Sequence, residues 1–355
     1  ALGATQVAAL SSTALRGLTS TVLSSLSATQ LGALSSSQLS ALSGASLAGM
    51  TDEQLATLST TQLRSLSAAQ LGALTTHGVG QLSAEQLSAV SVTAIVGLTS
   101  SQIGGLSAAQ LAALTTAQLA ALSAAQMRGL TGDSVSALST AQLGAFSATQ
   151  LGALTTTAVD GLSGAQLAAL TTFQLRGLSG SAVSELSAEQ LAALSTTQLA
   201  AFTSTQLASL TANDMGELTG AELAAFSSTQ LGALAARAVA GLSEGQLGGL
   251  STAQLAGFRA TQLGQLADTQ LQALSTEQLN ALSTSALSGL TPSEIGLLRP
   301  DQLASLSSTL LTALSTAQMA GLRSEQVAAL TTTQLGLLRT AQLAGLSVNG
   351  VAGLS

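Results

Sequence analysis

Apolar and polar positions repeat every eight residues along this chain. In LSAAQLAALTTAQLAALSAAQ, residues 106–126, Leu recurs at the first and sixth positions of an octad written L-[ST]-x-x-Q-L-x-x. Spacings of five and three residues would place these leucines on opposite faces of a strand, so a simple strand is excluded. A continuous helix is excluded because eight residues at 100° each rotate the apolar stripe by about 80° per octad. The pattern predicts a helix that breaks once in every octad.

The octad also contains the signals that start a helix. The second position is Ser or Thr in 37 of 44 octads, and the fifth position is Gln in 29. This spacing is the capping box, in which the hydroxyl accepts from a free amide and the Gln side chain returns to the N–H of the cap residue. The flanking leucines have the spacing of a hydrophobic staple. Both prolines, Pro292 and Pro300, fall at the third position, where the first helical residue needs no N–H.

Charged residues and glycines follow the same eight-residue register. Thirteen of the 16 acidic residues lie at positions three to five, near the positive end of each helix dipole, and four arginines lie at position seven, near the negative end. Twenty-six of the 35 glycines lie at positions seven or eight, where we expect glycine C-caps to stop the helix. Each helix of about one and a half turns is too short to be stable alone and must pack its leucines against neighbouring octads.

We therefore predict an all-α solenoid of very short helices, one per octad. The array is expected to be single and continuous over residues 1–355, with 44 octads from residue 2 to residue 353, and to be a segment of a longer array. The five phenylalanines lie three or four octads apart, a mean of 3.5: they are Phe146, Phe173, Phe202, Phe226 and Phe258. Octads without Gln follow a looser version of the same rhythm. The expected superhelical turn is about 3.5 octads, or about 28 residues, with Leu filling a narrow centre.

Composition narrows the class of protein. Hydrophobic residues make up 46% of the chain and charged residues only 7%, so the core must consist mainly of Leu, Ala and Val. Nine arginines against 16 acidic residues give a net charge of -7, without the basic stripe that nucleic-acid binding requires. No apolar stretch approaches the roughly 18 residues of a transmembrane helix. The chain contains no cysteine, and any signal peptide is expected to have been removed or to lie outside this segment.

Candidate catalytic residues are few. His77 is the only histidine, so no paired-His or Cys-His metal cluster can form, and we expect it to be an exposed residue at a helix start. Acidic residues cluster at Asp52 and Glu53, and more loosely at Asp214, Glu217 and Glu222, where dipole complementation explains them better than glycosidase chemistry. No nucleophile elbow, P-loop, dinucleotide fingerprint or calcium-binding repeat is present. The sequence predicts neither an enzyme nor a bound metal or cofactor.

Four arginines replace the Ser or Thr cap in the last third of the chain: Arg259, Arg299, Arg323 and Arg339. One interpretation is a partner-binding or self-docking edge, and the other is tolerated loss of single caps at about 1 kcal/mol each. The repeated Thr pairs could form an ice-binding ladder, but a 3.5-octad turn would not stack Thr on one face in every turn. The expected surface of Ser, Thr, Ala, Gly and Gln is nearly uncharged, which favours lateral or end-to-end association between copies.

The stretches LTTAQLAALSAAQ, LSTAQLAGF and LTTTQLGLL resemble the Leu-Thr-Thr-x-Gln-Leu tracts of very large secreted or cell-surface bacterial repeat proteins. This resemblance implies an extracellular adhesin, sheath or filament, which could be attached to the cell surface. No recognisable calcium-binding or export module accompanies the repeats here. The expected function is a structural, non-enzymatic rod that associates with itself as a homopolymer or lateral bundle. The alternative is an adhesin stalk or a solenoid that binds a ligand or partner through its irregular octads and capping arginines.

Overall fold

The computed structural model describes residues 3–354, and Leu2, where the predicted array begins, lies outside the described residues. This part of the chain contains 44 α-helices and one 3-10 helix, and it contains no strand. Helices begin every eight residues. The predicted all-α solenoid with one short helix per octad is confirmed. No helix in residues 3–354 combines the length and apolarity needed to cross a membrane.

The chain divides into two compact units, one up to Leu186 and one from Ser187, which are described separately; the single array over residues 1–355 stays a prediction. The first unit contains α1–α23: Ala4–Ala8, Ser12–Arg16, Ser20–Ser24, Ala28–Gly32, Ser36–Leu39, Gly44–Leu47, Asp52–Thr57, Thr60–Arg64, Ala68–Gly72, Thr76–Gln81, Ala84–Ala89, Val92–Ile95, Ser100–Gly104, Ala108–Ala113, Thr116–Ala120, Ala124–Met127, Gly132–Ser136, Thr140–Gly144, Ala148–Gly152, Thr156–Asp160, Gly164–Ala168, Thr172–Leu175 and Gly180–Val183.

The second unit contains α24–α44 and the 3-10 helix, in the same eight-residue order. Its α-helices are Ala188–Ala192, Thr196–Leu199, Ser204–Leu207, Ala212–Glu217, Gly220–Ala224, Ser228–Ala233, Ala236–Val239, Glu244–Gly249, Thr252–Leu255, Ala260–Leu263, Asp268–Ala273, Thr276–Asn280, Thr284–Leu287, Pro292–Leu297, Pro300–Ala304, Ser308–Ala313, Thr316–Met319, Ser324–Ala328, Thr332–Leu337, Thr340–Ala344 and Val348–Val351, and the 3-10 helix is Ala352–Leu354.

Most helices start as the capping-box spacing predicts, and α7 is an example. At α7, the hydroxyl of Thr51 accepts from the backbone N–H of Gln54 at 3.3 Å. The Gln54 carboxamide oxygen in turn accepts from the backbone N–H of Thr51 at 2.9 Å. The backbone of Thr51 is extended, which separates α7 from the residues before it and orients Thr51 and Gln54 for these two bonds. Two of the free amides at the helix start are thereby satisfied within four residues.

The sixth and first positions of the octad form the core in both units. Leu63 and Leu119 at the sixth position are 0% exposed, whereas Leu58 at the first position is 3% exposed. Four of the five phenylalanines occupy the first position and are buried, but Phe173 lies at the fourth position and is 71% exposed. The Phe spacing that predicts the turn length therefore includes one residue that does not belong to the core.

Successive turns of the coil are joined by the glutamines. The Gln54 carboxamide nitrogen donates to the main-chain oxygen of Leu26 at 2.7 Å and to that of Leu23 at 2.8 Å. The same bond, to the residue 28 positions earlier, recurs in the second unit from Gln302 to Leu274 at 2.7 Å. The predicted turn of about 3.5 octads is confirmed within each unit. No buried side-chain nitrogen or oxygen in residues 3–354 lacks a hydrogen-bond partner.

The glycines have a different role from the expected C-caps. In the described chain no glycine has a positive φ, so none adopts the left-handed conformation of a glycine C-cap. Instead, many of them allow adjacent turns to approach closely: a Cβ on Gly97 would overlap the backbone of Ala68, and one on Gly72 would overlap the carbonyl of Gly97. At these positions the reason for glycine is backbone packing between turns.

Candidate functional site

His77 and Asp52 form a contact between two turns of the first unit. The His77 ring Nε2 lies 3.0 Å from an Asp52 carboxylate oxygen, and the two side chains are 70% and 55% exposed. His77 is the second residue of α10, so the expected exposed position at a helix start is confirmed. Asp52 and Glu53 occupy the first turn of α7. The geometry supports a solvated ion pair when the imidazole is protonated.

The second group of carboxylates is engaged by neighbouring helix residues. Asp214 is buried and accepts from the backbone N–H of Thr211 at 2.7 Å. Glu222 accepts from the backbone N–H of Thr219 at 2.6 Å. Both carboxylates therefore take the place of Gln in a capping box. Among residues 3–354, no group of three or more His, Cys, Asp or Glu side chains is arranged to hold a metal ion.

The four capping arginines keep only half of the capping box. The backbone N–H of Arg299 still donates to the Gln302 carboxamide oxygen at 2.8 Å, and that of Arg339 to Gln342 at 3.0 Å. An arginine side chain has no acceptor, so the hydroxyl half is lost. The guanidinium groups instead extend to the helix about 27 residues earlier, with Arg299 donating to the main-chain oxygen of Gln272.

The other three guanidinium groups lie over equivalent positions of the preceding turn. Arg339 donates to the main-chain oxygen of Thr312, and the guanidinium groups of Arg259 and Arg323 lie beside Gly232 and Gly296. Separations of 40, 24 and 16 residues between successive arginines are not multiples of 28, so the four do not stack in a single row. The self-docking edge inferred from them stays a prediction.

Local hydrogen bonds lower the pKa of three exposed carboxylates in the second unit. The Arg299 guanidinium contacts both carboxylate oxygens of Asp301 at 3.2 Å and holds the Asp301 pKa below its ordinary value. The pKa of Glu277 is lowered by its own backbone amide and then by the Ser275 hydroxyl. The pKa of Glu325 is lowered by its own backbone amide and by the adjacent Ser324 hydroxyl. Each cause is a local donor at the start of a helix.

Two amide side chains that the octad pattern did not single out also join turns in the second unit. Asn280 donates to the main-chain oxygen of Ser305 at 2.6 Å and accepts from the N–H of Ser307 at 2.6 Å. Gln272 donates to the main-chain oxygen of Leu297 at 3.2 Å. Both lie at the seventh position, commonly Ala or Gly, so a long amide there is the signal that could have revealed them.

Grooves on the second unit lie between successive turns. One of about 490 Å³ is bordered by Ser243, Glu244, Ala267 and Thr269. Another of about 330 Å³ is bordered by Pro292, Arg323, Ser347 and Asn349. Their linings combine helix-start hydroxyls with small residues.

Comparison with known proteins supports the repeat architecture. Three segments, residues 47–84, 135–172 and 298–332, match the family model of the ALTTAQ repeat. The chain is a tandem-repeat protein. Together these segments make up less than a third of its length. No curated protein matches the chain.

Among solved structures, the leucine-rich repeat-containing protein LegL7 from Legionella pneumophila aligns at 15% identity. The alignment covers 68% of this chain and 79% of that protein, with a TM-score of 0.19. A score this low carries no argument about fold or function. The architecture of this chain is established by its own helices and by the bonds between its turns.

Proposed function

We propose that this tandem-repeat protein is a structural, non-enzymatic element that associates with itself as a filament, sheath or surface spacer. The observation that carries the proposal is that the distinctive residues of the octad all serve the coil. Leucines fill the core, hydroxyls cap the helices, and glutamines such as Gln118 both complete the cap and join two turns. No recurring residue type remains for a reaction, whereas every repeat adds length and stiffness.

The surface is the second support for this proposal. Exposed positions carry mainly Ser, Thr, Ala and Gly, and only 7% of the residues in the chain are charged. Small uncharged side chains let two copies approach closely with little loss of side-chain entropy and little electrostatic repulsion. The free-energy cost of bringing two copies together is therefore small, so a few complementary contacts suffice for self-association.

We further propose that the protein acts outside a bacterial cell or on its surface. This part of the proposal rests on the resemblance of its Leu-Thr-Thr-x-Gln-Leu tracts to those of large secreted repeat proteins. The absence of cysteine is compatible with this location but does not select it. Fractionation of cells producing the native gene product, with an antibody against this segment, tests the location directly.

A solenoid that binds another molecule is the second candidate. The groove of about 330 Å³ beside Arg323 favours it, because Ser347 and Asn349 supply polar groups on the same rim. This candidate predicts a monomeric chain that captures a partner. Replacement of Arg323 by Ser would then abolish capture without preventing folding.

Negative-stain electron microscopy of the purified chain, combined with far-ultraviolet circular dichroism, tests the proposed function. We expect uniform fibres or bundles and a helical spectrum. Isolated particles with a helical spectrum at all concentrations would overturn self-association and favour the partner-binding candidate. Measurable turnover of a substrate that is lost in His77→Ala or Asp52→Asn would overturn the non-enzymatic assignment.

A further inference from the structure

The 28-residue turn sorts the charged residues of the second unit onto different faces. Bonds between residues 28 apart recur throughout this unit, as between Gln254 and Phe226 at 3.0 Å. Each residue can therefore be given a place from 1 to 28 in the turn, counted from residue 1. Seven carboxylates of the unit are exposed: Glu189, Glu217, Glu244, Asp268, Glu277, Asp301 and Glu325. All seven fall between places 16 and 25, so they occupy about one third of the circumference.

The other three carboxylates of the unit lie within this range or next to it. Glu294, Asp214 and Glu222 fall at places 14, 18 and 26. We therefore define the acidic face as places 14 to 26. Glu189, Glu217 and Glu244 follow one another at 28 and 27 residues, almost one turn apart. Successive turns thus present carboxylates in a file along the unit.

Arginines of the same unit lie on both faces. Arg259 and Arg339 are exposed and fall at places 7 and 3, nearly half a turn from the middle of the acidic face, and Arg237 lies at its edge, at place 13. We define the arginine face as the rest of the turn, places 27 to 13, which holds these three arginines and no Asp or Glu of residues 187–354. Arg299 and Arg323 lie inside the acidic face, at places 19 and 15, and Arg299 is bound to Asp301. The acidic face is strongly negative and the arginine face positive.

We propose that the arginine face of one copy docks laterally against the acidic face of a second copy. The inference rests on the proposed self-association and specifies its contact surfaces. The occupant is a second copy because the two faces are complementary in charge and the surrounding small side chains allow close approach. Since the contact joins two different faces, each docked copy leaves one face free, and association continues beyond a dimer.

Paired arginine variants test this proposal with a matched control. Arg259→Ser with Arg339→Ser removes two positive charges from the arginine face, whereas Arg299→Ser with Arg323→Ser removes two from the acidic face. Both pairs change the net charge equally, restore the usual Ser cap and remove one guanidinium bond to the preceding turn, so the two variants should have similar thermal unfolding midpoints. We expect the first pair to weaken association by about tenfold and the second to leave it intact or strengthened.

Sedimentation velocity and light scattering at 20 mM and 500 mM NaCl measure the outcome. High salt should dissociate the wild-type assemblies because it screens these charges. An equal loss in both variant pairs would overturn the docking surfaces, since net charge alone would explain it. Assemblies that resist salt and both variant pairs would overturn lateral charge docking while leaving self-association standing. A wild-type chain that stays monomeric under all conditions would overturn both proposals.

Mixing experiments give an independent readout. A second variant, Glu189→Gln with Glu217→Gln and Glu244→Gln, weakens the acidic face but keeps the arginines. Neither this variant nor the Arg259→Ser and Arg339→Ser variant should assemble strongly alone. Their mixture should form a 1:1 complex that does not grow, because only one complementary pair of intact faces is present. Failure of the mixture to form any complex would contradict the assignment of the two faces.

Discussion

Gln54 and Leu26 lie 28 residues apart and are joined by a hydrogen bond of 2.7 Å from the Gln54 carboxamide nitrogen to the Leu26 main-chain oxygen. The oxygen of the same carboxamide caps the helix on which Gln54 lies. One side chain therefore starts a helix and fixes it to the previous turn. Because a Gln amide has both a donor and an acceptor, Gln suits this position better than Glu, which keeps only the acceptor when ionised.

Replacement of a bridging glutamine by glutamate should be costly. Gln118 is buried, and its carboxamide nitrogen donates to the main-chain oxygens of Leu87, Ser88 and Val90. Gln118→Glu removes these donors and places a carboxylate against carbonyl oxygens, so we expect a loss of about 2–4 kcal/mol in unfolding free energy. Urea denaturation measures it. Glu294 occupies the position that is usually Gln, so the reverse change, Glu294→Gln, adds donors and should raise the unfolding free energy by about 0.5–1.5 kcal/mol. A lower unfolding free energy for Glu294→Gln would contradict the bridging role.

Substitutions at core positions should lower the unfolding free energy more than substitutions at cap positions. Leu191 is 2% exposed at the sixth position, and the Ser187 hydroxyl accepts from the N–H of Gln190 at 3.2 Å. We expect Leu191→Ala to cost about 2–5 kcal/mol and Ser187→Ala about 1 kcal/mol, because the first leaves a cavity and the second one unsatisfied amide. Chemical denaturation of both variants gives the comparison. Equal costs would mean that the core has been assigned to the wrong positions.

Two glycines should respond in opposite directions to the same substitution. Gly97→Ala places a methyl group into the backbone of Ala68 and must separate two turns, with an expected loss of about 2–3 kcal/mol. Gly144 has open space around its Cβ position, so Gly144→Ala should stabilise its helix by about 0.5–1 kcal/mol. Thermal unfolding of the two variants checks the signs. A neutral Gly97→Ala variant would show that the turns are not in close backbone contact.

The ionisation of Asp301 should depend on Arg299. The guanidinium stabilises the carboxylate and lowers its pKa, so its contribution to stability is present above the ordinary Asp pKa and is lost as the pH falls through the lowered value. Arg299→Ser should raise the pKa of Asp301 towards the ordinary value. NMR titration of the side-chain carboxyl group measures this change. Glu277 is the internal control because its pKa is lowered by its own amide and by Ser275; a shift of Glu277 with no shift of Asp301 would refute the assignment.

Much of the coil is visible in the sequence because its helix starts are local. The distance from Ser187 to Gln190 is three residues, so the capping box can be recognised without any tertiary information. The partner of Gln118 at Val90 is 28 residues away and has no local signal. Likewise, the glycine at residue 97 suggested a C-cap, whereas its role is set by Ala68 in another turn. The acidic face emerges only when the sequence is arranged in turns of 28 residues.

The candidate functional surfaces were less predictable than the fold. Arg259, Arg299, Arg323 and Arg339 could be singled out because each interrupts the cap position. Their distribution around the coil depends on the turn length, which places Arg299 within the acidic face and Arg259 nearly opposite. An eight-residue pattern contains no information about which octads lie above one another. The arginines were recognisable from the sequence, but the bonds of their guanidinium groups to the preceding turn required the structure.

The most direct test of the 28-residue turn uses pulsed electron paramagnetic resonance between pairs of spin labels, which is possible because the chain contains no cysteine. Thr61, Ser101 and Ala117 are exposed and occupy the same position of their octads, 40 and 56 residues apart from the first. Cysteines at residues 61 and 117 should lie two turns apart on one face, at roughly 16–20 Å between backbones. Cysteines at 61 and 101 should lie on nearly opposite faces and be farther apart, although they are closer in sequence. A longer distance for the 61 and 117 pair than for the 61 and 101 pair would contradict the coil.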